Sequence, residues 1–195
     1  MKKFNVKTLV MIGMLSSLSF VLMLIKFPIP PFPPFLTVDF SDIPALIAAI
    51  LFGPLAGVLV ELFKNIIDYA VSSSATGIPI GHIANFLAGV LFVLPTYYVY
   101  KYLKMKKGLL ISLIVGTIFM AVFMSVFNYF VLLPAYIGLL GWDPMTNAQL
   151  RSYVVASILP FNVIKGLIVT VLFLLLYSRL SSRLMKNFNI KNNTI

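Results

Sequence analysis

Uncharged apolar runs divide the chain into segments that are separated by charged residues or by proline and glycine. A membrane-spanning helix needs roughly 17–25 mostly apolar residues, and several of these runs reach that length. The pattern predicts an all-α integral membrane protein, one transmembrane domain over residues 1–195. Its spans are predicted at approximately 8–26, 40–52, 54–71, 82–101, 109–137 and 152–179.

The region 42–71 admits two interpretations. Residues 43–60 are uncharged and could form one span, or Gly53 and Pro54 could divide the region into two helices. Proline is tolerated at the start of a helix and disruptive inside one. Division leaves a second helix of about 11 residues, which rises about 16 Å against a ~30 Å hydrocarbon core. That helix is therefore expected to begin earlier, near Asp39, or the membrane to thin there.

Basic residues decide between these interpretations, because cytoplasmic loops are enriched in lysine and arginine. With six spans, three basic clusters share one side of the membrane: Lys2/Lys3/Lys7, Lys101/Lys104/Lys106/Lys107 and Arg179/Arg183/Lys186/Lys191. With five spans, the second and third clusters would face outward. The sequence therefore predicts six transmembrane helices with both termini cytoplasmic. A long proline-rich loop between the first two helices then lies outside.

Composition agrees with a membrane protein. The chain is 61% hydrophobic and 10% charged, with a mean hydropathy of +1.03, whereas soluble domains carry about 25% charged residues. A net charge of +10 in a soluble protein would suggest nucleic acid. Here the basic residues lie at the ends of apolar runs, so the lipid membrane is the expected partner and nucleic acid is not.

Three charged residues of the third span, Glu61, Lys64 and Asp68, fall on one face of a helix. Charged side chains inside a membrane are costly and face a cavity or a partner. Two interpretations remain open for this set. It forms a supporting ion-pair network that neutralises itself, or it contacts a ligand directly.

Four further polar residues lie at similar depth in the outer half of the predicted spans: Asn85, Asn128, Asn162 and Lys165. The inner halves are almost entirely apolar. Asparagines can simply join helices in a membrane, but the matching depth favours a polar pocket that opens outward and is closed below. Such a pocket suits a flat, neutral, hydrogen-bonding ligand.

The stretch FPIPPFPPFLTVDFSD, residues 27–42, lies directly above this predicted pocket. Prolines stiffen the chain and remove backbone donors, so the stretch is a candidate lid. Asp42 or Ser41 is expected to cap the following helix. Asp39 has two interpretations: it contacts the ligand from the lid, or it pairs with a buried lysine such as Lys64.

Motifs for catalysis are missing from the sequence. There is no cysteine and a single histidine, so thiolate and paired-histidine metal sites are excluded. No nucleotide-binding Gly-x-x-x-x-Gly-Lys-Ser/Thr loop occurs. We therefore expect no enzyme activity, no catalytic residues, no metal and no resident cofactor. In the first span, Gly13 and Ser17 form a small-x-x-x-small face that admits a close helix, either from this chain or from another membrane subunit.

The blocks PPFLTVDFSDIPALIAAILFGPLAGVLVELFKN (33–65), GHIANFLAG, FNYFVLLPAY and LPFNVIKG together resemble a known family. They are similar to the substrate-binding S components of energy-coupling factor (ECF) vitamin transporters, and most specifically to the riboflavin-specific members. The resemblance covers most of the chain in order. At the face of the first span, the family pattern is Ala-x-x-x-Ala, whereas this chain has Gly13 and Ser17.

The resemblance implies a subunit that captures riboflavin outside the cell and docks on a transmembrane coupling subunit driven by two ATPase subunits. The family's ligand-contacting positions are matched here by Asn128, Asn162, Lys165 and Asn85, so the resemblance implies that these residues contact the ligand. FMN is also a possible ligand. The lid would cover the ligand with Leu36, Thr37, Val38, Asp39 and Phe40. Gly13 and Ser17 would serve docking. Alternatives are an S component for another vitamin or precursor, and a membrane scaffold without transport.

Overall fold

The computed structural model describes residues 5–72, 78–103 and 107–188 of the chain. Lys2, Lys3, Lys104, Lys106 and Lys191 of the predicted basic clusters lie outside these residues. The described helices are α1 (Val6–Leu24), α2 (Asp42–Phe52), α3 (Pro54–Ser72), α4 (Ile80–Tyr102), α5 (Gly108–Phe127), α6 (Leu133–Leu140), α7 (Asn147–Tyr153) and α8 (Leu159–Phe188).

Four helical stretches within the described residues are long and apolar enough to cross a membrane. They are α1, α4, a continuous rod from α5 to α6 and another from α7 into α8, namely Val6–Leu24, Ile80–Tyr102, Gly108–Leu140 and Asn147–Tyr177. The prediction of an all-α membrane protein is therefore confirmed. α2 is a shorter apolar helix, and α3 carries the charged residues described above.

Gly53 separates α2 from α3. Its φ of 103° is a backbone conformation that residues with a Cβ rarely adopt, and Pro54 opens the next helix. The region 42–71 is therefore two helices rather than one. A Cβ on Gly57 would lie 2.8 Å from the side chains of Ala49 and Val93, so α2, α3 and α4 approach closely just beyond this turn.

α2 begins at Asp42, later than the sequence predicted. Ahead of it, Thr37–Val38 pairs in antiparallel register with Phe27–Pro28 as a short two-stranded ribbon. The Asp39 carboxylate then accepts hydrogen bonds from the backbone N–H and the hydroxyl of Ser41. This turn competes with helix formation. Ser41 precedes the helix as predicted, but its side chain makes no capping hydrogen bond.

Two π-helical turns interrupt the last two rods. They cover Asn128–Leu132 and Val154–Ile158, and each is followed by a Leu-Pro pair, at Pro134 and Pro160. Proline lacks an N–H and clashes with the carbonyl four residues earlier, so a wider turn just ahead of it relieves the conflict. Turns of this kind are frequent at functional sites, and both here lie beside asparagines that the sequence singled out.

Candidate functional site

A cavity of about 90 Å³ lies beneath the segment that connects α1 to α2. α4, α5 and α8 form its walls, together with the first π turn and α6. Its lining consists of Phe35, Leu36, Thr37, Gly81, Ala84, Asn85, Ala88, Met124, Asn128, Leu132, Tyr136, Phe161, Asn162 and Lys165. The four polar residues predicted from three spans therefore do converge on one cavity.

Asn128 and Asn162 face this cavity from two neighbouring rods. Each donates one amide hydrogen to the carbonyl four residues earlier in its own helix, Met124 at 2.7 Å and Ile158 at 2.9 Å. An asparagine side chain has two donors and one acceptor oxygen. Each residue therefore keeps a second N–H and its carboxamide oxygen for a partner in the cavity.

Lys165 lines the polar side of the cavity and is 4% exposed. Its Nζ lies 3.3 Å from Asp39 Oδ2 and 4.0 Å from Asp42 Oδ2. A buried lysine requires such neighbours, because an isolated charge in a medium of low dielectric is expensive. The closer of its two carboxylate neighbours, Asp39, comes from the candidate lid.

Asp39 connects the lid to two helices. Its Oδ1 accepts from Ser41, while its Oδ2 accepts from Asn85 Nδ2 at 3.3 Å and from Lys165. Burial by itself would raise the pKa of this carboxyl, but the charges of Lys165 and Lys64 and the Ser41 hydrogen bonds together hold the pKa below its usual value. Asp39 is therefore an anion that fixes the lid to the cavity wall. Asp39 pairs with a buried lysine, as one of its two interpretations predicted, and that lysine is Lys165 rather than Lys64.

A second buried lysine, Lys64, lies behind the cavity and is 0% exposed. Its Nζ is 2.7 Å from Asp42 Oδ1, from Glu61 Oε2 and from Ser41 Oγ. The Glu61 carboxylate is pressed against Gly89 of α4, where a Cβ would overlap it. Asp42, Glu61 and Lys64 thus form one ionic cluster that joins α2, α3 and α4. The sequence analysis offered Asp42 or Ser41 as a helix cap, whereas the Asp42 carboxylate pairs with Lys64.

Asp68 does not belong to this cluster, which corrects the predicted network of three. Its Oδ2 lies 3.0 Å from His82 Nε2 and 3.6 Å from Lys26 Nζ, and its Oδ1 accepts from Ser72 at 3.0 Å. The spacing of seven residues places Asp68 on the same face of α3 as Glu61, two turns away. At that height the segment after α1 and the start of α4 supply different partners, Lys26 and His82. The ion-pair network predicted from the sequence therefore divides into two separate groups.

The five predicted lid residues also lie in different environments rather than at one site. Leu36 and Thr37 line the cavity, and Asp39 holds the lid in place. Val38 is 0% exposed and does not line the cavity, because its position in the ribbon turns it into the core. Phe40 lines a different, apolar groove between α1 and α8, since alternate residues of an extended segment point to opposite sides.

Comparison with known proteins agrees with this architecture. Residues 7–177 match the family described as "ECF transporter, substrate-specific component". The chain belongs to this family of S components. The S component is 49% identical over 176 residues to "Riboflavin transporter FmnP" of Bacillus subtilis (strain 168), covering 90% of this chain and 93% of that protein. It is 47% identical to "Riboflavin transporter RibU" of Staphylococcus aureus (strain TCH60), covering 90% and 91%.

A solved structure of the S component of a bacterial ECF transporter matches the fold with a TM-score of 0.78. The two chains are 47% identical, and the match covers 91% of this chain and 97% of the other. The family that the sequence motifs indicated is therefore confirmed. The S component is a multi-pass protein of the cell membrane and a transport subunit rather than an enzyme.

The sequence-based prediction did not include the apolar residues that line the cavity. Met124 and Leu132 lie one helical turn before and after Asn128, and Phe161 is next to Asn162. Spacing from the asparagines could have identified these residues. Phe35 could not be found in this way, because its place depends on the path of the lid, where its ring contacts Tyr136 at a centroid distance of 5.4 Å.

Gly13 and Ser17 of the S component lie on the exposed side of α1. Apart from the local backbone of α1, no atom of the described chain lies within 4 Å of the point where a Cβ on Gly13 would stand. The Ser17 hydroxyl bonds to the Gly13 carbonyl at 3.1 Å, so it places no further demand on a neighbour. Of the two partners considered for this face, a helix of the described chain is not the one in place.

Proposed function

We propose that this S component captures riboflavin from outside the cell and delivers it through a separate ATP-driven coupling module. The observation that carries the proposal is the convergence of Asn85, Asn128, Asn162 and Lys165 on one cavity under the lid. Two relatives named riboflavin transporters, each close to half identical over nine-tenths of this chain, support the choice of ligand.

The chemistry of the cavity suits the flavin ring. Its pyrimidine edge alternates acceptors with a donor, and the free amide groups of Asn128 and Asn162 can match both. Lys165 can donate to a ring carbonyl or a ribityl hydroxyl. The flat faces of the ring suit packing against Phe35, Phe161 and other apolar side chains of the lining. FMN would be accepted if its phosphate stays at the mouth of the cavity.

Entry of the ligand requires the lid to move. The cavity of about 90 Å³ is smaller than the ~300–1,000 Å³ that is typical of ligand pockets. Phe35, Leu36 and Thr37 occupy the space above the polar residues, so they must shift outward to admit a three-ring ligand. The Asp39 carboxylate, bonded to Lys165 and Asn85, is the contact that such a movement would loosen.

The proposed topology follows the charges. We propose six spans over one transmembrane domain, with both termini cytoplasmic and the lid outside, so that the cavity opens toward the source of the vitamin. Docking on a transmembrane coupling subunit with two ATPase subunits would use the exposed face at Gly13 and Ser17. Energy must come from those partners, because the sequence has no nucleotide-binding loop.

Absorbance and fluorescence of the purified protein test the proposal. We expect the protein to be yellow, or to quench the fluorescence of added riboflavin at one ligand per chain. A competition panel of other vitamins should leave the quenching unchanged, while FMN competes. A colourless protein that does not quench riboflavin would reject the proposal, and displacement by a different vitamin would reassign the substrate.

A further inference from the structure

A second depression, here called the α1–α8 groove, lies on the lateral surface of the helix bundle. Its volume is about 480 Å³, and it is lined by Leu22, Phe40, Ile43, Leu172, Leu175, Leu176 and Arg179. Every lining side chain except Arg179 is apolar. Phe40 and Ile43 form its inner wall at the start of α2, so the groove is separate from the cavity under the lid.

The groove opens sideways from the bundle. Leu175 and Leu176 at its edge are 59% and 42% exposed, and α1 and α8 belong to the stretches long and apolar enough to cross a membrane. The surroundings of these side chains are therefore hydrocarbon. An apolar groove of this size that opens into a bilayer matches the volume range of ligand sites, and acyl chains are the ligand present around it.

Arg179 makes one end of the otherwise apolar groove positively charged. It is exposed and lies seven residues after Leu172, which corresponds to about 10 Å along the helix. The sequence adds Arg183 and Lys186 further along the same helix. Basic residues at the cytoplasmic ends of membrane helices attract anionic lipid headgroups. An apolar wall that ends in a cation is thus complementary to an acyl chain that ends in a phosphate.

We propose that the α1–α8 groove binds one anionic phospholipid, with an acyl chain between Leu22 and Leu172 and the headgroup phosphate on Arg179. The proposal adds a lipid site to the proposed function and rests on its orientation, with the end of α8 at the cytoplasmic leaflet. Charge favours this occupant over a neutral lipid. Shape alone would accept either, so the contribution of Arg179 is the quantity to test.

Native mass spectrometry of the full-length protein provides the test. The protein is exchanged into equal amounts of phosphatidylglycerol and phosphatidylcholine, and the retained lipids are counted. We expect one phosphatidylglycerol to be retained in preference. Arg179→Gln should reduce that preference about fivefold, the equivalent of one basic residue at an anionic surface. Arg151→Gln, which removes an exposed arginine of α7, is the matched control and should change nothing.

A second pair of variants tests the groove itself. Leu172→Trp should fill it and reduce lipid retention, whereas Val171→Trp adds the same bulk at a neighbouring α8 position that is 57% exposed and outside the groove lining. Equal retention of both lipids, or equal behaviour of Arg179→Gln and Arg151→Gln, would overturn the proposal. So would a Leu172→Trp variant that keeps its lipid but fails to assemble with the coupling module, because the groove would then be a protein contact. Riboflavin quenching by each variant reports separately on the proposed function and on folding.

Discussion

Lys165 of α8 and Asp39 of the lid form a buried ion pair with an Nζ–Oδ2 distance of 3.3 Å, although 126 positions separate them in the chain. The pair connects the last rod of the bundle to the segment between α1 and α2. Because Lys165 also lines the cavity, any ligand that engages its ammonium competes with the contact that keeps the lid down. We therefore predict that occupation of the cavity and position of the lid are linked through this side chain.

Asp39→Asn removes the charge from this pair and leaves the Lys165 ammonium with Asp42 at 4.0 Å as its remaining carboxylate. Breaking a buried ion pair costs roughly 3–5 kcal/mol, so thermal unfolding in detergent without ligand should shift to a clearly lower temperature. The pKa of Asp39 is held below its usual value, so its stabilising contribution is lost only as the pH falls below about 4. The difference from wild type should therefore be constant between pH 5 and 8.

The exposed Asp143 provides the control for that variant. Asp143→Asn removes the same charge away from the cavity and should leave the unfolding temperature within the error of the measurement. Equal unfolding temperatures for Asp39→Asn and wild type would contradict the role of Asp39 as the anchor of the lid.

Asn128→Ala and Asn162→Ala should each weaken riboflavin binding by roughly 1–3 kcal/mol, the cost of an unsatisfied hydrogen-bonding partner. Fluorescence titration of purified variants measures the change. Asn147→Ala, at an exposed position of α7, should bind riboflavin as wild type does. Wild-type affinity in both cavity variants would show that the two amides do not contact the ligand.

Lys64→Met should destabilise the protein by roughly 3–5 kcal/mol, because it leaves the buried Glu61 without its cation and Asp42 with only Lys165 at 4.0 Å. Combining it with Asp42→Asn and Glu61→Gln removes the unpaired charge, so part of the lost stability should return. Thermal unfolding of the single and triple variants in the same detergent makes the comparison. A triple variant less stable than Lys64→Met would mean that packing rather than charge governs this cluster.

Gly89→Ala places a Cβ against the Glu61 carboxylate, which packs directly on α4 at this point. Overpacking of a closely packed interior costs roughly 1–3 kcal/mol, and a decrease of that size in unfolding stability is expected. Gly81→Ala provides the control on the same helix, because no described atom outside the local backbone lies within 4 Å of its Cβ position. Similar behaviour of the two variants would show that α3 and α4 can separate at little cost.

Gly13→Leu should impair assembly with the coupling module while leaving riboflavin binding unchanged, because the exposed face of α1 lies away from the cavity lining. Close helix contacts in membranes depend on small residues. Co-purification with the coupling subunits and riboflavin quenching are measured on the same preparation. Met14→Leu, a volume-conserving change at the adjacent exposed position, should assemble normally. Normal assembly of Gly13→Leu would exclude this face from docking.

The sequence predicted much of this protein from local patterns. Uncharged runs identified the membrane helices, and Gly53-Pro54 marked the boundary between α2 and α3, because backbone restrictions at these residues do not depend on distant contacts. Asn85, Asn128, Asn162 and Lys165 were predicted to share one depth, and the structure brings them to one cavity. The number of spans and their orientation remain predictions that rest on the distribution of charge.

What the sequence by itself determined is the helical membrane fold, the transporter family and the polar residues that the membrane would force to find partners. Only the tertiary structure decided which partners they found: Asp39 with Lys165, Asp42 with Lys64, and Asp68 with His82 rather than with Lys64. The tertiary structure also places Phe40 outside the cavity, and α2 begins only at Asp42. Helical periodicity places residues on a face. Which faces meet depends on how the helices pack and on the path of an irregular lid, and both are set by contacts between positions far apart in the chain.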